Sequence, residues 1–76
     1  MALRVGRSLL AIRLKDSKLS QREFARLLGV TESMVSMYIS GERIMSLARA
    51  RLAAHILNCY IEDLYEWEGL PNGRRW

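Results

Sequence analysis

Residues 20–41 read S-QREFARLL-G-V-T-ESMVSMYIS-G, and this stretch leaves the chain little freedom in what it can build. Ser20 followed three residues later by Glu23 is a capping-box signal for a helix start. The helix it opens covers 21–28, with Phe24, Leu27 and Leu28 as its apolar side. Gly29 stands where the chain must leave that helix through a left-handed backbone, which glycine adopts without strain. Thr31 caps a further helix that reaches about Ser40, and Gly41 ends it. Two short helices crossing steeply through a turn of about three or four residues need particular residue types at their contact. Ala25 is small because the second helix packs over its Cβ. Phe24, Leu28, Val30, Val35 and Tyr38 fill the wedge between the helices. Thr31, Glu32, Ser33, Ser36 and Met37 are left facing away from it.

Helical spacing extends over the rest of the chain. The single proline, Pro71, comes near the end, so no proline breaks a helix before it. A first helix is expected over about 4–16, with Leu9, Leu10, Ile12 and Leu14 on its buried side, followed by the polar connection Asp16-Ser17-Lys18. Ser46 is a cap for a fourth helix over 47–57, and Asn58 suits the left-handed position at its end. A fifth helix is expected over 61–67, before Gly69, Pro71 and Gly73 announce a frayed tail. No alternation of period two stands out. The expected fold is therefore all-α, a compact bundle of about five short helices. It forms one domain over 1–70 with a tail at 71–76.

Composition narrows the function classes. A chain of 76 residues makes one domain with a small core, marginal alone unless its helices pack well or it dimerises. One cysteine, Cys59, cannot form an intrachain disulfide, which suits a reducing cytoplasm. One cysteine and one histidine, His55, do not make a thiol zinc site, so no metal is expected. No apolar run approaches the roughly 18 residues of a membrane span. The arginine- and leucine-bearing start superficially resembles a transit peptide, but its aliphatic residues suit the buried side of a helix better. No nucleophile has a base near it, and no glycine-rich phosphate loop or apolar carboxylate pair is present. No enzyme and no cofactor are expected.

The net charge of +4 is unevenly spread. Residues 1–26 hold seven bases against two acids, whereas 61–70 hold four acids and no base. A basic half opposed to an acidic segment suggests a face for a polyanion.

These residues together resemble a family, the Cro and lambda-repressor type of helix-turn-helix regulators, also called XRE-type. The resemblance is carried by Leu19-Ser20-Gln21, Phe24-Ala25, Leu28-Gly29-Val30-Thr31, Val35-Ser36 and Gly41. Ser46-Leu47, Leu57-Asn58-Cys59 and Glu62-Asp63-Leu64 continue it downstream, so it covers about 5–67. It implies a lambda-repressor-like domain that binds double-stranded DNA, with Gln21 clamping a phosphate. Thr31, Glu32, Ser33, Ser36 and Met37 would lie against DNA, and Ser40 and Arg43 would hold the backbone. A helix N-terminus does bind phosphate, and side chains on a groove helix do reach base edges. Two positions depart from the family: Ile39 stands where glutamate is frequent, and Lys18 where glycine is.

The expected recognition helix has no Arg or Lys, and its one charge is Glu32. Glutamate can accept from a cytosine amino group, and Met37 can touch a thymine methyl. Affinity must then come from cations elsewhere, with Arg13, Lys15, Lys18, Arg22 and Arg43 as the candidates. Arg22 and Arg43 are preferred because they flank the motif. Glu32, Ser33, Ser36 and Met37 are thus the expected base contacts. Gln21, Arg22, Thr31, Ser40, Arg43 and Lys18 are the expected backbone contacts.

Other residues read more plainly. His55 suits a surface or part-buried position, Cys59 a small core hydrophobe, and Met34 and Met45 core filling. Trp67 follows Leu64 by three residues, so both would share one face of the fifth helix. Either they cap the core, or with Leu70 they form the contact of a homodimer. The leading reading is a cytoplasmic transcriptional regulator of a prokaryote or phage, with neither membrane nor small-molecule partner. Its rivals are a helical protein-binding module and an antitoxin that keeps the fold.

Overall fold

The computed structural model describes residues 3–69. Leu70, Pro71, Gly73, Trp76 and the tail expected over 71–76 lie outside the described residues. Along the chain come β1 (Arg4–Ser8), α1 (Leu10–Ser17), α2 (Gln21–Leu28), α3 (Glu32–Ser40) and α4 (Leu47–Leu57). A short 3₁₀ helix (Ile61–Leu64) and β2 (Tyr65–Glu68) follow.

The local signals of the middle act as their chemistry requires. Ser20 Oγ accepts the Glu23 N–H at 3.1 Å, Thr31 Oγ1 the Met34 N–H at 3.1 Å, and Ser46 Oγ the Arg49 N–H at 3.2 Å. Each bond satisfies one of the amides that a helix start leaves without an intrahelical acceptor. Gly29 and Gly41 end α2 and α3 at φ +79° and +85°, and Asn58 ends α4 at +53°.

The architecture is not all-α, and the described residues hold four α-helices rather than five. Residues 4–8 form a strand where a helix was expected, and α1 begins only at Leu10. At the other end, the expected fifth helix is a single 3₁₀ turn that runs straight into β2. β1 and β2 pair antiparallel, Arg4 opposite Glu68, Val5 opposite Trp67 and Ser8 opposite Tyr65. The register gains one residue on β1 between Val5 and Ser8, a bulge that bends the strand. Gly6 stands at that bulge, where a Cβ would lie 2.9 Å from the Glu66 carbonyl oxygen. Only a residue without a side chain lets the two backbones come so close.

The sequence does carry a mark of β2. Tyr65-Glu66-Trp67-Glu68 alternates apolar and acidic with period two. The side chains follow that alternation: Tyr65 is buried, Trp67 half-buried, and both glutamates are exposed. Four residues are too few for the alternation to outweigh the helical pattern around them.

Leu10, Leu14, Phe24, Ala25, Leu28, Val35, Tyr38, Met45, Ala50, Ala53, Ala54, Leu57, Leu64 and Tyr65 form one core. Val30, Met34, Ile39, Cys59 and Trp67 pack partly against it. Leu10 and Leu14 are buried as expected, but Ile12 and Leu27 are exposed. Because β1 takes residues 4–8, α1 starts at Leu10 and presents Leu10 and Leu14, four apart, to the core.

Candidate nucleic-acid interface

The wedge between α2 and α3 is closed by the residues the sequence assigned to it. Phe24 and Val35 are fully buried, Ala25, Leu28 and Tyr38 nearly so, and Val30 packs at the rim. The other side of α3 faces outward: Glu32, Ser33 and Ser36 are exposed and Met37 is half-exposed. Thr31 is exposed just ahead of the helix. These residues share one outward face because the wedge holds Val35 and Tyr38 on the other.

Gln21, the first residue of α2, reaches that face. Its Oε1 accepts a hydrogen bond from Ser36 Oγ at 3.3 Å. The start of α2 therefore lies beside the middle of α3, bringing a helix N-terminus to the edge of the exposed α3 surface. Arg22 is exposed in the next position.

Beyond α3 the backbone is tightly tied. The Ser40 hydroxyl donates to the Met37 carbonyl at 3.2 Å and accepts the Glu42 N–H at 3.3 Å. The Arg43 N–H donates to the Met37 carbonyl at 3.2 Å, leaving the Arg43 side chain exposed. Among the described residues no ion pair within 4.0 Å engages Lys18, Arg22 or Arg43.

Three other cations, Arg4, Arg7 and Arg13, are committed elsewhere. Arg13 Nε donates to the Asp63 carbonyl at 2.8 Å, and its guanidinium lies 3.9 Å from Asp16. Arg13 is thus a clamp between α1 and the 3₁₀ helix. Arg4 pairs with Glu68 at 3.2 Å and Arg7 with Glu66 at 3.7 Å across the ribbon. The acidic C-terminal segment consequently neutralises part of the basic N-terminal one. Lys18 ends α1 at φ +58°, its N–H turned back onto the carbonyls of Leu14 and Lys15.

A helix-turn-helix family model matches residues 9–64, from just before α1 through the end of the 3₁₀ helix. The chain belongs to the Cro- and lambda-repressor-like, XRE-type helix-turn-helix family. A search of curated proteins finds no match. This family is one of DNA-binding transcriptional regulators, and its members bind double-stranded DNA. Within the helix-turn-helix frame α2 is the first helix of the motif and α3 the second. Lys18 occupies a left-handed position, which explains why glycine is frequent there in the family.

The residues expected at a dimer contact fare differently. Leu64 is fully buried in the chain's own core and offers no surface to a second copy. Nor do Leu64 and Trp67 share a helix face, since Trp67 belongs to β2. The Trp67 indole N–H donates to the Glu62 carbonyl at 2.9 Å, and its ring meets Tyr65 edge-on at 6.4 Å. Trp67 is therefore half engaged inside the fold, and Leu70 lies outside the described residues. His55 is exposed and Cys59 half-buried. Burial pushes the Cys59 thiol up, Asp63 adds to this, and Arg13 opposes it. No helix among the described residues is long and apolar enough to cross a membrane.

Sequence reasoning missed one residue of this region. Tyr65, from the far end of the chain, donates no charge to the surface, but its hydroxyl accepts the Met45 N–H at 3.1 Å. Its place in the four-residue alternation of β2 was the only available signal.

Proposed function

We propose that the chain is a sequence-specific transcriptional regulator that lays α3 in the major groove of an operator half-site. Glu32, Ser33, Ser36 and Met37 contact base edges in this reading. Gln21, Arg22, Thr31, Ser40, Arg43 and Lys18 contact the sugar–phosphate backbone. The observation that carries it is the Gln21–Ser36 hydrogen bond within a helix-turn-helix family member. That bond puts the start of α2, with the first amides of a helix, beside the exposed polar face of α3, so a groove-bound α3 leaves α2 against a phosphate.

Phosphate contacts fix the register and supply the salt-dependent affinity, and the α3 residues supply preference. The protein acts by binding rather than catalysis, as a homodimer without cofactor or small-molecule ligand, in the cytoplasm of a prokaryote or in a phage-infected cell. The test is selection of preferred sites from random duplexes, with affinity followed against salt. Recovery of a defined site supports the reading, and failure to enrich any sequence overturns it.

A helical protein-binding module that has lost DNA is the second reading. It is favoured by an α3 without a single Lys or Arg and by the exposure of Ile44 (61%) and Leu47 (78%) just beyond it. Retention on heparin and on random duplex DNA separates the two, because a module that had lost DNA would show no steep salt dependence.

A further inference from the structure

The segment between α3 and α4, residues 41–46, presents Arg43, and its path is fixed from both ends. Gly41 turns it left-handed, and the bonds from Glu42 to Ser40 and from Arg43 to Met37 fasten its first half to α3. Ser46 fastens the other end to α4 as its cap. Between these anchors Met45 is buried, and a buried N–H without an acceptor is costly. The acceptor is the Tyr65 hydroxyl at 3.1 Å, contributed by a strand twenty residues away.

Tyr65 is itself held. It is 5% exposed, it pairs with Ser8 of β1, and its ring lies against Trp67, which pairs with Val5. Burial pushes its phenol up, so the hydroxyl stays neutral at physiological pH. The ribbon of β1 and β2 thus reaches, through one hydroxyl, a backbone atom two residues from Arg43.

We propose that Tyr65 is a positioning residue for DNA binding, whose bond to the Met45 N–H sets where residues 41–46 offer Arg43 to a phosphate. This rests on the DNA-binding reading above. Arginine's long side chain tolerates small displacements of its backbone, so the effect is graded. Without the hydroxyl, the Met45 N–H must open toward water to find a partner, and the loosened segment no longer holds Arg43 at the phosphate.

Tyr65→Phe keeps the ring and its contact with Trp67 and deletes only the oxygen. The expected results are faster amide hydrogen exchange confined to residues 42–46 and duplex affinity about three- to tenfold weaker, the range one hydrogen bond supplies. The slope of log affinity on log salt should shrink by about one contact, with the selected site unchanged. In an Arg43→Ala background, Tyr65→Phe should have no further effect. An ester replacing the 44–45 amide removes the same bond from the donor side and should weaken binding equally, which covers the case of a Tyr65→Phe chain that fails to fold.

Unchanged affinity and slope in the variants, or an equal further loss in the Arg43→Ala background, would overturn the positioning role while leaving the DNA reading intact. Absence of salt-dependent duplex binding by the unaltered protein would instead remove the DNA reading, and the positioning role with it.

Discussion

Lys18 holds a backbone conformation that side chains resist. At φ +58° its Cβ crowds the following carbonyl, a cost of about 1–2 kcal/mol that glycine avoids. Glycine loses part of that advantage through its greater freedom when unfolded. Lys18→Gly should therefore raise stability by about 0.5–1 kcal/mol, measured by denaturant titration. If Lys18 also meets a phosphate, the same variant should bind duplexes more weakly with a shallower salt slope. Stability and affinity would then move in opposite directions, and a variant that gained both would remove Lys18 from the interface. The departure from glycine was visible in the sequence, but the strain behind it is a backbone angle that no composition reveals. Trp67 shows the reverse case. The sequence left it either a cap on the core or a dimer contact, and its indole is bonded to Glu62 while its ring rests on Tyr65. Trp67→Ala should lower stability by about 2 kcal/mol, less than a fully buried aromatic because the residue is half-exposed. An unchanged melting temperature with weakened self-association would return Trp67 to the role of a dimer contact.

Among the elements, α2, α3 and α4 were readable to within a residue because their ends are set by local chemistry. A serine or threonine hydroxyl accepts an amide three residues on, and a glycine or asparagine turns left-handed at the other end. β1 and β2 were not readable in the same way, since each takes its hydrogen bonds from a strand about sixty residues distant. A five-residue and a four-residue strand carry too little pattern to declare themselves. On α3 the sequence identified the outward face, and Glu32 is the residue there with two competing explanations. At the first turn it is favoured by the helix dipole, worth a few tenths of a kcal/mol when exposed. If that is its whole role, Glu32→Gln should slightly destabilise the fold and strengthen binding to every duplex by removing a repulsion. If it accepts from a cytosine, preference at one base pair should relax or switch toward adenine, which glutamine grips bidentately. Met37→Ala should weaken preference for a thymine without altering the salt slope. Sites selected by the unaltered protein and both variants decide this, and identical preferences in all three would take both residues out of base readout.

For the whole molecule, the linear charge distribution misleads because β1 and β2 pair. Arg4 and Arg7 lie in the basic stretch, but the ribbon sets them against Glu68 and Glu66, and Arg13 is used inside the fold. Such exposed ion pairs stabilise little, yet they spend positive charge that a linear reading assigns to DNA. Lys18, Arg22 and Arg43, the cations proposed to meet the backbone, are like Lys15 exposed and outside any ion pair among the described residues. One nine-residue α3 reads only a few base pairs, and useful affinity generally comes from two half-sites about 34–36 Å apart. A two-fold pair of chains would then bring about six phosphate contacts, for a slope of log affinity on log salt near −5. A single bound chain would give about half that slope. Random-duplex selection should return two inverted copies of one short sequence, spaced about one helical turn apart. A single unrepeated half-site with a slope near −2.5 would show that the chain binds as a monomer, and the homodimer would have to be given up while α3 kept its role.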